Sequence, residues 1–487
     1  MKSLDTKKYF LIVLVGSMLA LASSFVVAKL GSDLLALCIA ALVALTYFVF
    51  IFKSPFFGLA TVIFLLPFER IGSVDIASLT VRPSQIVAIV TIVAFVWERL
   101  VSGRFTLQKN PLVIPVIAFL ISNLFSLFNA LNPNRGVEVL VFTLFVAVVS
   151  FTVPQIITTR EQVKKIIFVL MVSAVLVCVF GIFQFVGDLI GLSPKLTGLG
   201  ELYTKGVFGF PRIQSTASEP LYFANYLLFP LSVATSLLLA TKHHRTLVWL
   251  ALVLLLGVNF VLTLSRGGYL GLIGVLAVLG VGHYKKVFSK KNLSLYVVIL
   301  VVIAVSGGFL LGLSENAREA VDAFWKQAFN FSGGASIEQR EDTITQALNA
   351  WEGHPYLGIG PGNFGPYVAE QPLITPVKGW LIVNNETIEL LAETGVIGTL
   401  LFYLIVVVLC VTSLRAVLKA RDPYIRTVLL GTLAAFVGVI IQYQTFSTLF
   451  VLHIWVLMGF LVALQNIALN PHEKRDEMLE SEALAPK

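Results

Sequence analysis

Charged residues are scarce in this chain of 487 residues: Asp, Glu, Lys and Arg together make up only 13% of it. A soluble globular protein carries about 25% charged residues, so this chain has too little polar surface to coat a water-exposed globule. Hydrophobic residues reach 57%, and the mean hydropathy is +0.89. The composition therefore excludes a soluble enzyme and predicts an integral membrane protein.

Cysteine is also rare, and its placement excludes a second group of functions. Cys38, Cys178 and Cys410 all lie inside apolar runs, which is typical of small packing residues and not of a disulfide framework or a metal site. The net charge of +8 is compatible with nucleic-acid binding, but the basic residues lie in small groups between apolar runs. That pattern is typical of membrane loops, so we expect a lipid bilayer and no nucleic acid as partner.

Long apolar runs are abundant. A transmembrane helix needs about 20 mostly apolar residues. A shorter run near 54–68 contains Pro55 and Pro67 and fits either a full span or a re-entrant piece. The runs predict an all-α, polytopic transmembrane bundle of about 12–14 helices. They lie near 9–28, 33–52, 54–68, 83–101, 112–129, 136–156, 164–187, 219–240, 246–264, 267–283, 293–313, 386–413, 426–443 and 447–468.

The positive charges predict an orientation for these spans. With fourteen spans and a cytoplasmic N-terminus, 23 of the 35 Lys and Arg residues fall on the cytoplasmic side and 12 on the outer side. Positive charge in short loops marks the cytoplasmic face. We therefore expect a multi-pass protein of the cytoplasmic membrane with both termini inside and two long outer segments, 188–218 and 314–385.

The outer segment 314–385 contains two predicted helices and a glycine-rich loop. Residues 314–331 have one apolar face, which predicts a short helix that lies along the membrane surface or packs on the spans. In the second helix, 337–352, Arg340 lies within an apolar stripe, and a buried cation needs an anionic partner, either an internal carboxylate or a ligand. The loop 353–367 carries Gly360, Gly362 and Asn363. It fits either a plain connecting turn or a loop whose backbone amides approach another group closely.

Two further arginines lie on the same predicted outer side. Arg266 is the sole full charge between Arg245 and Lys285, and a charge at the membrane boundary indicates either function or a side chain that reaches the interface. Arg212 lies just before the span that begins at Glu219. Together with Arg340, these arginines predict a site for an anion such as phosphate.

Four segments resemble the bacterial O-antigen ligase family, which includes O-antigen polymerases and related oligosaccharyltransferases. The resemblance covers about 212–400. The N-terminal spans match only in general character. The segments are RIQSTASEPLYFANYL (212–227), LTLSRGGYLGL (262–272), Arg340 followed by WEGHPYLGIGPGNF (351–364), and NNETIELLAETGVIG (384–398).

The resemblance implies a membrane glycosyltransferase of cell-envelope polysaccharide biosynthesis. Such an enzyme moves a glycan from a polyprenyl-diphosphate carrier to an acceptor hydroxyl outside the cytoplasmic membrane, with inversion and without a nucleotide sugar, a metal or another cofactor. By this resemblance, Arg212 and Arg266 hold the diphosphate, and Arg340 is a plausible third clamp. Fixed guanidinium groups stabilise the negative charge that develops on the leaving diphosphate.

One position departs from the family pattern. Family ligases carry a histidine-polar pair, ten residues before a Gly-x-x-Gly, and its histidine is the candidate base. This chain has Asn384 at the histidine position, followed by Asn385 and Glu386. Asparagine cannot accept a proton at neutral pH. Either another group is the base, or the acceptor differs, or activity is lost. Candidate bases are His354 and Glu219, with Glu386 and Glu389 also nearby in sequence.

The resemblance also suggests a domain organisation and leaves alternatives open. We expect N-terminal helices in 1–211, a ligase-related core in 212–400, C-terminal helices in 401–468 and a cytoplasmic tail in 469–487. A lipid-linked oligosaccharide or polysaccharide transporter has a similar number of helices, but it is expected to show two related halves, and the chain shows no such repeat. A catalytically inactive family member is the third possibility.

Overall fold

The computed structural model describes residues 45–76, 79–103, 106–241, 245–287, 335–377, 379–447 and 449–469. The predicted spans near 9–28 and 293–313, most of the one near 33–52, the predicted surface helix 314–331 and the tail after residue 469 lie outside the described residues. The chain forms two compact units: Met1–Val62 with Ser84–Thr106, and Ile63–Pro83 with Leu107–Lys487.

Three of the described helices contribute to the first unit. Helix α1 covers residues 45–53, α2 is Pro55–Leu65 and α3 is Pro83–Ser102. Helices α2 and α3 approach closely at Gly58, where an added Cβ would lie 2.4 Å from Oγ1 of Thr91. A small residue permits this contact, as is typical of packing between membrane helices.

The second unit begins with a hairpin and three helices. Strands β1 (Val74–Ile76) and β2 (Leu79–Val81) pair antiparallel, with Val74 opposite Val81. Helices α4 (Val113–Ser126), α5 (Pro133–Ile156) and α6 (Arg160–Leu189) follow. Helix α6 starts with a capping box between Thr159 and Gln162, which satisfies backbone groups that a helix N-terminus leaves open. A loop over 190–219 then leads to the remaining helices.

The rest of the described part of the second unit is mainly helical, and the described helices confirm the predicted all-α transmembrane fold. Of the described helices, seven are long and apolar enough to cross a membrane, and four shorter ones are also apolar. The protein is therefore a multi-pass membrane protein. The longer helices that remain among the described residues are α7 (Pro220–Ala240), α8 (Arg245–Leu262), α9 (Arg266–Gly282), α10 (Ala335–Gly353), α11 (Glu386–Lys419), α12 (Pro423–Gln442) and α13 (Leu452–Leu469).

Close packing of α7, α9 and α12 brings several helix ends together. A Cβ on Gly271 would lie 2.8 Å from the carbonyl oxygen of Gly438, so α9 and α12 are in backbone contact. At the end of α12, Nε2 of Gln442 donates to the carbonyl of Leu221, at the start of α7. The N-termini of α7 and α9 and the C-terminus of α12 therefore lie at one end of the bundle.

Candidate active site

Arg212 is held at this end by the turn that joins α8 to α9. Its Nε and Nη2 atoms each donate to a carbonyl oxygen at 3.4 Å, those of Thr263 and Leu264. The guanidinium also lies over the ring of Tyr203, with 5.7 Å between the guanidinium carbon and the ring centroid. These partners are uncharged, so Arg212 is fixed in place while it keeps its positive charge.

The positive charge of Arg266 acts on both Arg212 and Arg340. Arg266 is the half-buried first residue of α9, whose N-cap Ser265 accepts a hydrogen bond from the amide of Gly268. Burial lowers the pKa of the Arg212 guanidinium, and the positive charge of Arg266 lowers it further, although Tyr203 opposes this shift. Burial followed by the charge of Arg266 also lowers the pKa of Arg340. Arg212 and Arg340 thus each lie within electrostatic range of Arg266, and we call these three residues the arginine cluster.

Helix α10 places Arg340 next to the segment that precedes α11. The apolar face of α10, including Ala347 and Ala350, packs in one core with Val383. One turn after Arg340, Oγ1 of Thr343 donates to the carbonyl of Val383 at 3.3 Å. Arg340 is half-buried, as expected for an arginine within an apolar stripe. Asn384 follows Val383 directly and therefore lies beside the Arg340 end of α10.

Asn384 and Asn385 also connect to the Arg266 side. Asn385 caps α11, and its Nδ2 donates to the carbonyl of Gln444 at 3.2 Å. The next residue, Thr445, packs on Gly267, where an added Cβ would lie 2.0 Å from Oγ1 of Thr445. Asn384 and Asn385 thus lie at the edge of the arginine cluster, between Arg340 and Arg266. Glu386 is buried nearby, in electrostatic contact with Tyr443.

Glu219 is the candidate base that faces the arginine cluster. It is solvent-accessible at the N-terminus of α7, and its charge acts on both Tyr203 and Arg212. Desolvation raises the pKa of the Glu219 carboxyl, and the adjacent Arg212 lowers it by a smaller amount. The net shift moves this pKa from its usual range toward neutrality, which suits a group that must take and release a proton.

His354 lies elsewhere. It follows the last residue of α10, fourteen residues after Arg340, which corresponds to about 20 Å along the helix axis. His354 is exposed, its amide donates to the carbonyl of Trp351, and its carbonyl accepts from the amide of Gly358. The structure therefore places His354 in the turn that ends α10, away from Arg340.

The glycine-rich loop has a partner within the chain. The carboxylate of Glu393, buried in α11, accepts hydrogen bonds from the amides of Gly362 at 2.7 Å and Phe364 at 3.0 Å. The amide of Gly360 donates to the Glu393 carbonyl, and Oδ1 of Asn363 accepts from the amide of Asn132. The loop amides do approach another group closely, as one interpretation of the sequence predicts, and that group is a carboxylate of α11.

Two arginines near these elements were not singled out from the sequence. Arg70 donates through Nη1 to the carbonyl of Gly198 at 3.0 Å, and its charge lowers the pKa of Tyr203 against the larger effect of burial. Arg135 lies against the glycine-rich loop, where a Cβ on Gly362 would be 3.4 Å from its Nε. The available signal was weak: each arginine follows an apolar run on the predicted outer side, as LPFER and NPNRG show.

Backbone strain is concentrated at the site. Among the described residues, three that are not glycine adopt a positive φ: Ser215 at 51°, Leu264 at 49° and Asn384 at 59°. Ser215 follows Arg212 by three residues, and Leu264 precedes Arg266 by two. Such conformations cost about 1–3 kcal/mol each and persist where the surrounding structure enforces them, often at functional sites.

Comparison with known proteins adds one match. Within the described residues, no group of three or more His, Cys, Asp or Glu side chains is placed to hold a metal ion. No curated protein matches the chain. Residues 250–403 match the sequence model of the family described as O-antigen ligase, and this segment contains Arg266, Arg340 and Asn384. The match covers about a third of the chain, and over this segment the chain is similar to the O-antigen ligase family.

Proposed function

We propose that this protein is a glycosyltransferase that moves a glycan from a polyprenyl-diphosphate donor to an acceptor hydroxyl, on the outer face of the cytoplasmic membrane. The observation that carries the proposal is the arginine cluster, in which two half-buried arginines share electrostatic contact with Arg266 beside an accessible carboxylate. Three cations at one site repel each other, and a dianionic ligand relieves that repulsion. The family match supports a lipid-linked glycan as the donor.

The arginine cluster suits the leaving group of this reaction. As the bond between the anomeric carbon and the phosphate oxygen breaks, negative charge accumulates on the diphosphate. Donors already held in position stabilise that charge without reorganising during the reaction. Arg212 meets this requirement because carbonyl oxygens and the Tyr203 ring fix its guanidinium.

Glu219 is the proton acceptor in this proposal. The acceptor hydroxyl oxygen bonds to the anomeric carbon, its proton passes to the Glu219 carboxylate, and the diphosphate leaves with the electrons of the broken bond. Asn384 retains the position of the family histidine without its basicity, so its amide serves to orient the acceptor hydroxyl. Diphosphate is itself a good leaving group, so the base contributes about 10²–10⁴-fold.

A reconstituted transfer assay tests the proposal. The purified protein is placed in lipid vesicles with a polyprenyl-diphosphate glycan, with and without candidate acceptors, and released polyprenyl diphosphate is measured. We expect Arg266→Gln to lose at least 100-fold in turnover, because removal of one fixed charge donor at a transition state costs about that much. Lys195→Gln is the matched control, since Lys195 is an exposed cation in the loop that leads to Arg212. Equal activity of the two variants would contradict the proposal.

A further inference from the structure

A second cationic region lies at the opposite end of the same helices. A cavity of about 460 Å³ opens between the C-terminal ends of α7 and α9 and the N-terminal end of α12, next to Ala240, Gly282 and Pro423. From Arg266 to Gly282, helix α9 rises about 24 Å. The cavity is therefore separate from the arginine cluster and takes no part in the transfer proposed above.

The charged residues that line this cavity are all positive. Its lining includes four cationic residues and one histidine, and none of the described residues that line it is acidic. The nearby carboxylate of Asp422 is directed to other partners: its Oδ2 lies 2.8 Å from Nε of Arg160, and its Oδ1 caps the amide of Tyr424. We call this region the basic cavity, and its basic residues are His283, Lys285, Lys286, Arg421 and Arg426.

Hydrogen bonds hold the walls of the basic cavity in place. Nε2 of His283 lies 3.1 Å from Oγ of Ser236, which donates to the carbonyl of Thr427 and so connects α7 with α12. Nζ of Lys286 donates to the carbonyl of Leu239 at 2.6 Å. Burial lowers the pKa of His283, and Lys286 and Arg426 lower it further, which shows how closely these charges face one another. The side chains of His283 and Lys286 are therefore fixed before any ligand binds.

The surroundings of the basic cavity indicate the kind of ligand. Positive charge is expected near the cytoplasmic ends of membrane helices, but that preference alone does not make the charges converge on a cavity. Tyr284, which lines the cavity, is 57% exposed, and Val281, next to the cavity along the chain, is 78% exposed, so an apolar surface adjoins the cationic wall. Basic pockets between transmembrane helices bind anionic lipid head groups, whose acyl chains pack on such surfaces.

We propose that the basic cavity binds the phosphate of an anionic membrane lipid. The cations contact the phosphate, and the acyl chains lie along the exposed apolar side of α9. Such a lipid holds the ends of α7, α9 and α12 together at the end of the bundle remote from the arginine cluster.

Native mass spectrometry of the full chain tests this proposal directly. The protein, purified in a mild detergent, is titrated with phosphatidylglycerol or phosphatidylcholine carrying the same acyl chains. We expect phosphatidylglycerol to bind at least tenfold more tightly, and Lys285→Gln/Arg426→Gln to abolish most of this preference. The matched control is Arg415→Gln/Lys419→Gln, which removes two exposed cations near the end of α11 and should keep the preference.

Further experiments distinguish lost lipid binding from lost folding, and a lipid phosphate from free phosphate. Arg426→Lys keeps the charge and should retain lipid binding where Arg426→Gln loses it, so a general loss of fold cannot produce the pattern. Millimolar inorganic phosphate should leave the lipid bound. Displacement of the lipid by micromolar inorganic phosphate or diphosphate would overturn the proposal that the ligand is a lipid. The proposal would also be overturned if both double variants lost the preference for phosphatidylglycerol equally, or if the two lipids bound equally well.

Discussion

The contact between Glu393 and the glycine-rich loop allows a stability prediction with a magnitude. Its carboxylate accepts two backbone hydrogen bonds, from the amides of Gly362 and Phe364. Glu393→Ala leaves both amides without this acceptor, and each unsatisfied buried donor costs about 1–3 kcal/mol, so we expect a loss of about 2–6 kcal/mol. In Glu393→Gln one oxygen still accepts while the amide group faces the other donor, so about half of that loss is expected.

A thiol-reactive dye in a thermal unfolding experiment can measure this loss. Cys178 is buried in α6 and becomes reactive only when the bundle opens. With an unfolding entropy of about 2.1 cal/mol/K per residue, each kcal/mol shifts the midpoint of a chain of 487 residues by about 1 °C. We therefore expect Glu393→Ala to unfold about 2–6 °C lower and Glu393→Gln at an intermediate temperature.

The comparison needs a control without this contact. Glu341→Gln makes the same chemical change on an exposed position of α10 and should leave the midpoint unchanged. An alanine variant as stable as the parent, or a glutamine variant less stable than the alanine variant, would refute the proposed role of the Glu393 carboxylate.

Three other predictions concern the proposed active site and its orientation. Turnover should fall as the pH drops through the raised pKa of Glu219. Arg212 lowers that pKa, so in Arg212→Gln the fall in turnover should occur at a higher pH. A Glu219→Gln variant that keeps the same fall in turnover at acidic pH would exclude Glu219 as the base. Asn384→Gly and Asn384→Ala should each lower turnover by roughly tenfold or less, because each removes about one hydrogen bond to the acceptor. Only the alanine variant should also lose about 1–2 kcal/mol of stability, because alanine is strained at this positive φ. A rise of more than tenfold in Asn384→His would show instead that proton removal lacks an effective base. A membrane-impermeant thiol reagent applied from outside should label Val377→Cys, at a fully exposed position, and not Lys419→Cys; the reverse pattern would invert the proposed orientation.

The fold and the cationic character of the site could be predicted from the sequence because both are local properties. An apolar run of about 20 residues specifies a membrane helix regardless of its neighbours. Similarly, an arginine within an apolar stripe, as at Arg340, or alone between two spans, as at Arg266, already implies a special environment. The bounds of α10, Ala335–Gly353, agree closely with the helix predicted over 337–352 for the same reason.

Contacts between distant residues could not be predicted in this way. The sequence does not show that Glu393 faces the amide of Gly362, 31 residues earlier, so the glycine-rich loop remained open to two interpretations. Nor does it distinguish His354 from Glu219, since both are titratable residues near family motifs. The length of α10 separates them: it carries His354 about 20 Å from Arg340, while the loop before α7 keeps Glu219 beside Arg212.

The backbone at Asn384 suggests why asparagine can occupy the position of the family histidine. A φ of 59° lies in the left-handed region, where asparagine, aspartate and histidine are enriched among residues other than glycine. Exchange between histidine and asparagine therefore preserves the turn between Val383 and the N-cap of α11, and with it the contact of Asn385 with Gln444. Asparagine at this position lacks the basic group of histidine but can adopt the same backbone conformation. An enzyme with asparagine at this position needs another base within reach of the acceptor, and the carboxylate of Glu219 is the accessible candidate beside the arginine cluster.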